Sequence, residues 1–320
     1  MDATSVLETG IKPVDFFAPI KLGGVAGIDF CLGAGIMLLG AQIMHNFVMN
    51  NNGRVVYIGS PVGPPFLHYR EFFYGTGKAF RGGVSFVVTT PDHNLAEQES
   101  TVEKGFEIAK LYREAGYDVL VKLEGSLLAQ GDTLGIAREH AGVSSTGSTT
   151  VLCTGGPPDG LSDAYDSLDS AIVMSPESAG IGLYPAVDVE HSRSCLFDEN
   201  VFDPAHMATV RDCRQLILRC DRYNLHNAVK TLGKHFMATD DGGVSLSRVE
   251  RARRLRFFLT QGYHGTEMWT GRPGETVPLS HTVETCQRIL DGEYADVPEK
   301  AWYMMGRMES ILERARTIED

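Results

Sequence analysis

Residues 23–49 read GGVAGIDFCLGAGIMLLGAQIMHNFVM: a glycine pair, a short apolar run, a Gly-Ala-Gly turn and a helical stretch. That is the layout of a phosphate-binding loop. A working loop, G-x-x-x-x-G-K-[ST], puts its Lys on the terminal phosphates and its hydroxyl on Mg²⁺. Here Phe30 stands in the slot of the first Gly, Ile36 in that of the Lys and Met37 in that of the Ser/Thr. An aliphatic side chain cannot neutralise a triphosphate, so no Mg-ATP turnover is expected. Gly33 and Gly35 could still offer backbone N–H groups to an anion at a helix start, or serve only to let strand and helix pack closely.

Three further positions carry chemistry. Glu124 closes the run YDVLVKLE (117–124), at the strand end where open α/β sheets bind ligands. His68 falls in the loop expected at 59–73, and His93 follows the strand expected at 84–90. A His beside a carboxylate suits general acid–base work or a metal ion. His68, His93 and Glu124 could form a two-His-one-carboxylate site, or be a pair of exposed loop histidines and a vestigial acid.

The elements that must position these residues follow from the pattern. RVVYIG (54–59), VSFVVTT (84–90) and VLCTGG (151–156) are short β-rich runs closed by turn signals. EQESTVEKGFEIAKLYREAG (97–116) is an amphipathic helix ending on a Gly and leading into the strand 117–123. Strand, helix, strand in that order predicts a mainly parallel α/β sheet. From about residue 205 helical periodicity takes over, at 205–233, 244–259, 280–292 and 298–318. Two domains are expected: 1–204 and a helical 205–320, with the boundary in 197–204.

Composition is that of a globular chain of 320 residues, 43% hydrophobic and 22% charged. A net charge of −12 argues against nucleic acid or an anionic membrane as partner. No uncharged apolar run is long enough for a membrane span, and Met1 has no basic n-region, so neither membrane insertion nor a signal peptide is expected. The six cysteines are scattered without a C-x-x-C pair, which reads as reduced thiols in a cytoplasmic, matrix or stromal compartment.

Five segments, in order along almost the whole chain, resemble the beta subunit of the rotary (F-type) ATP synthase. They are LETGIKPVDFFAPI (7–20), GIGLYPAVD (180–188), RVERARRLRFFLTQ (248–261), TEMWTGRPGETV (266–277) and ILDGEYADVPEKAWYMMG (289–306). Flagellar and secretion ATPases fit them less well. The resemblance implies a RecA-like P-loop NTPase domain followed by a helical domain, assembled in a ring with homologous subunits, either an alpha-subunit-like partner or copies of itself. It also maps the family's three adenine-stacking positions onto Tyr184, Tyr263 and Trp269, all still aromatic, and its Walker B acid onto Glu124.

The departures matter as much. The family's N-terminal barrel has no counterpart before residue 7. Its catalytic Glu, expected after the second strand, falls at Val62 or a neighbour. Its acidic lever after Leu232–Gly233 is replaced by KHFMATDDGGVSLS (234–247). Two functions therefore remain open. One is a pseudo-ATPase, a structural or regulatory ring subunit without turnover. The other is a repurposed enzyme whose former nucleotide pocket takes a small non-nucleotide substrate, a planar ligand or a metal ion, with His68, His93 and Glu124 supplying the chemistry.

Overall fold

Two faces of one sheet organise the chain. In the computed structural model the described residues are 5–29, 33–50, 53–61, 64–74, 83–90, 92–128, 132–155, 167–222 and 246–319. Phe30, Val62 and positions 157–160 and 232–245 lie outside them. A small antiparallel pair, β1 (Val6–Leu7) and β2 (Ile20–Lys21), brackets helix α1 (Lys12–Phe17). Then come β3 (Val25–Ile28), helix α2 (Ile36–Asn50), β4 (Arg54–Gly59), α3 (Pro64–Tyr74), β5 (Val84–Val88), α4 (Leu95–Glu114) and β6 (Val119–Glu124). The short helices α5 (Gly125–Leu128) and α6 (Thr133–His140) precede β7 (Gly142–Val143), β8 (Ser148–Thr154), β9 (Ser170–Ile172), α7 (Pro176–Gly180) and β10 (Arg193–Ser194).

The main sheet runs β10-β9-β3-β8-β6-β4-β5, with β7 added antiparallel to β8. All neighbours from β9 to β5 along this order are parallel, and β10, like β7, joins antiparallel. Alternation along each strand divides the core. Val55, Tyr57, Leu120 and Leu152 meet α2 and α3 on one side. Val56, Ile58, Val121 and Val151 meet α4 and α6 on the other. α4 starts where local chemistry dictates: Asn94 caps the Glu97 N–H, and the Glu97 side chain returns to the Asn94 N–H.

Beyond residue 203 lie α8 (Pro204–Arg222), α9 (Leu246–Phe258), α10 (Glu267–Thr270), α11 (Leu279–Leu290), α12 (Glu299–Trp302) and α13 (Met308–Glu319). The single helix expected at 298–318 is broken between α12 and α13. Met304 turns there with φ 55°, and the buried Lys12 ammonium takes the Met305 and Gly306 carbonyls, each at 2.8 Å. Phe16 and Phe17 of α1 pack into the core of this helical region with Phe258 and Trp302. Gln261 fastens the same junction. Its Oε1 accepts the Lys12 N–H, and its Nε2 donates to the Gly10 and Glu275 carbonyls.

Candidate functional site

The carboxyl ends of β3, β6 and β8 lie side by side, with Ile28, Glu124 and Thr154 in register. The glycine turn stands above them. Gly33 and Gly35 have φ of 79° and 85°, left-handed backbone that favours glycine. Tyr184 leans on this turn, its hydroxyl donating to the Gly33 carbonyl at 3.3 Å. A Cβ on Gly35 would stand 3.6 Å from the Tyr184 ring. The first turn of α2 then presents Ile36 and Met37, with Met37 on the surface. The turn is well formed, and the two residues that follow it, Ile36 and Met37, are apolar.

Glu124 is not a loose acid. Its Oε2 accepts the Tyr57 hydroxyl and the Ser60 N–H, both at 2.8 Å. Burial, then the charge and hydrogen bond of Glu124, hold the Tyr57 hydroxyl well above its usual range. Two residues back on the same strand face lies Lys122, fully buried. Its Nζ donates to Thr154 Oγ1 and sits 5.7 Å from the centre of the Tyr69 ring. Tyr57 and Tyr69 meet edge to face at 5.7 Å. Gly40 of α2 makes room for this group, since a Cβ there would lie 2.7 Å from the Tyr69 hydroxyl and 3.5 Å from Lys122 Cε. Desolvation lowers the Lys122 ammonium to about 8, only partly offset by the charges of Glu124 and Cys153.

Lys122 lies inside VLVKLE, a buried-strand pattern ending in an acid, and belongs to no motif of its own. The signal was present: a lysine inside a run facing the core on both sides is costly unless the site uses or pairs it.

His68 is placed otherwise than expected, while His93 follows its strand as expected. His68 is in helix α3, not in a loop, and stacks near Phe72 at 6.3 Å with rings 15° apart. The helix forms because Pro64 occupies its first turn and Phe66, Tyr69, Phe72 and Phe73 share an apolar face. His93 serves the turn before α4. Its N–H donates to the Thr90 carbonyl at 3.0 Å, and its Nδ1 accepts the Thr90 N–H at 3.4 Å. Among the described residues no three His, Cys, Asp or Glu side chains converge as a metal site, so His68, His93 and Glu124 are not brought together as ligands.

The aromatic trio divides. Tyr184 and Tyr263 belong to the apolar cluster shared with α2. The Tyr263 hydroxyl is enclosed and has no hydrogen-bond partner among the described residues, so burial drives it far above the usual tyrosine range. Trp269 instead stands on the surface, 74% exposed, beside Met268 at 89%.

No protein-family profile matches the chain. Among solved structures, it is similar to an ATPase from the type III secretion system of pathogenic bacteria. The match has 18% identity and a TM-score of 0.65, over 91% of this chain and 87% of that one. A likeness at that identity speaks for the fold. The mainly parallel sheet clasped by helices, with a helical region after it, is the RecA-like ATPase arrangement anticipated from the sequence. No helix among the described residues is long and apolar enough to cross a membrane.

Proposed function

We propose that this protein is a pseudo-ATPase of the ATP synthase beta-subunit type: a ring-forming structural or regulatory subunit, built from a degenerate nucleotide domain (1–204) and a helical domain (205–320). The observation that carries the reading is the first turn of α2, where Ile36 and Met37 follow a well-formed glycine turn. Phosphoryl transfer depends on cations aimed at the transferring group, and each such group is worth orders of magnitude in rate. The second support is the engagement of Glu124 by Tyr57 and Ser60, which ties one carboxylate oxygen into the sheet end.

Purified protein with Mg-ATP is expected to release phosphate at the rate of buffer alone. Hydrolysis that is saturable in ATP and absent from an Ile36→Asp variant would sink the pseudo-ATPase reading.

Assembly has its own readout. The chain holds two tryptophans, and Trp302 is fully buried whereas Trp269 is exposed. Iodide is expected to quench Trp269 in the dilute monomer. Protection of Trp269 as concentration or an alpha-like partner is raised, in step with a larger mass by native mass spectrometry, would place Met268 and Trp269 in the subunit contact. Unchanged quenching in a fully assembled ring would remove them from it.

A further inference from the structure

We infer that the Met268–Trp269 tip of one copy seats in a basic groove between β10 and α8 of the next, joining this chain to itself head to tail. The inference rests on the ring-subunit reading and names the partner, a second copy of this chain, and the two surfaces that meet.

Among the described residues, Met268 and Trp269 are the two most exposed large hydrophobic side chains, and they are neighbours in sequence. Glu267, just before them, is exposed as well. The turn that carries the three is held in shape. Gly271 closes α10 in left-handed backbone, its N–H returning to the Glu267 carbonyl, and Glu267 Oε1 accepts the Gly274 N–H at 2.8 Å. An exposed apolar patch of this kind marks an interaction surface, and a preformed one loses little freedom on docking.

The groove follows from helical spacing. Met207, Val210, Arg211 and Arg214 stand at i, i+3, i+4 and i+7 on one face of α8. With β10 and Phe197, that face encloses about 340 Å³. Phe197, Met207 and Val210 give it an apolar floor continuous with the core of the helical region. Arg193, Arg211 and Arg214 add positive charge, and no carboxylate is among the lining residues. Arg214 donates to the Phe17 and Ser192 carbonyls, and Arg211 stands in solvent beside Asp212. A chain of net charge −12 thus carries a basic, apolar-floored groove. Guanidinium planes stack on aromatic faces, indole above all, and a carboxylate beside the ring complements the remaining charge. Glu267, Met268 and Trp269 present that acid, that ring and a flexible apolar neighbour in one turn.

One copy cannot fill its own groove. β10 is one end of the main sheet and β5 the other. The groove lies at β10. The tip lies toward β5: a Cβ on Gly265 would stand 2.6 Å from Phe72 of α3, and α3 lays Phe66 and Tyr74 on Phe86 of β5, with ring centres 5.7 and 5.8 Å apart. Unlike patches at opposite ends of a chain make a heterologous contact, which closes into a ring when the rotation allows.

The test is native mass spectrometry of the full chain and two variants over a range of concentrations. Wild type is expected to assemble beyond two copies. Trp269→Ala, without the tip, and Arg211→Glu, with the groove's charge reversed, should each need roughly tenfold or more protein to associate. Both positions are on the surface, so the melting temperature should stay that of wild type. An equimolar mixture then decides the geometry. The groove of Trp269→Ala can accept the tip of Arg211→Glu, which restores one junction and no more. The expected species is a pair holding one of each variant, identified by mass, with nothing larger. A mixture no more associated than either variant alone overturns the inference. So do single variants that assemble like wild type, which would leave the ring reading standing on another surface. Wild type that stays monomeric at every concentration also overturns it, and the ring reading would then need an alpha-like partner.

Discussion

Gly125→Ala is expected to cost about 4 kcal/mol of stability, a large share of what a domain of this kind has. Gly125 follows Glu124 at the end of β6, and a Cβ there would overlap the carbonyl of Gly155 at the end of β8. The obstacle is backbone in an adjacent strand, so no rotamer change relieves it. To admit the methyl group, β6 and β8 would have to separate at the level of Glu124 and Thr154, where the candidate site lies. Gly33→Ala is the matched control. A Cβ on Gly33 would meet nothing within 4 Å, and the substitution carries only the strain of a left-handed backbone, about 1 kcal/mol. Urea unfolding of both variants checks the pair. Gly125→Ala should lower the midpoint far more than Gly33→Ala, with similar slopes. Equal midpoints would mean that the strand ends part easily, and that the close approach of Gly125 and Gly155 does little to hold the sheet.

Much of the architecture was legible because it rests on local signals. The run 54–59 and the strand 117–123 alternate between two buried faces, and the helix at 97–116 announces itself through its amphipathic pattern and the closing Gly116. The glycine turn at 33–35 was legible for the same reason, since left-handed backbone favours glycine. The misses share a physical cause, which is that they depend on contacts distant in sequence. Nothing near residue 304 says that Lys12, almost 300 residues earlier, will take the carbonyls that a continuous helix would have used. His68 is expected in a loop because 59–73 follows the second strand where a loop is expected, yet proline is at home in a first helical turn. The aromatic trio was grouped because the resemblance maps three stacking positions onto Tyr184, Tyr263 and Trp269, either as a box for a planar ligand or as inherited core. Burial separates them, and burial depends on the packing of α2 against residues 261–264.

The site itself was half legible. The apolar residues that follow its glycine turn are single residues in a known spacing, readable at Ile36 and Met37. Its polar group is assembled from β4, α3, β6 and β8, and among its members Glu124 is the acid that stands at the strand end where open α/β sheets bind ligands. Lys122 replaces nothing in the glycine turn. It enters from the sheet, beneath α2, through the space that Gly40 leaves.

The last expected result concerns the other buried lysine. Stability should rise with pH from about 7 upward, and Lys12→Met should flatten most of that rise. Lys12 is fully buried against the Phe258 ring, its Nζ 4.3 Å from the ring centre. Desolvation lowers it to about 7 from the usual 10.5, with the charges of Cys286 and Glu275 opposing more weakly. Below pH 7 the side chain is charged in both folded and unfolded chains, and folding bears the full cost of burying the ammonium. Between 7 and 10.5 the unfolded chain keeps a proton that the folded chain sheds, so unfolding takes up protons and stability climbs with pH, levelling off above 10.5. The whole window is worth on the order of 4 kcal/mol, with about half gained by pH 9. Lys122 titrates with the same sign but over a narrower span, since its amine falls only to about 8. The wild-type minus Lys12→Met difference therefore isolates Lys12. Urea midpoints for both proteins between pH 6.5 and 9.5 would measure it. Parallel curves would mean that the two carbonyls of Met305 and Gly306 and the Phe258 face hold the ammonium as well as water does. The junction between α1 and the helical region would then be an ordinary cation site, with no dependence on pH in this range.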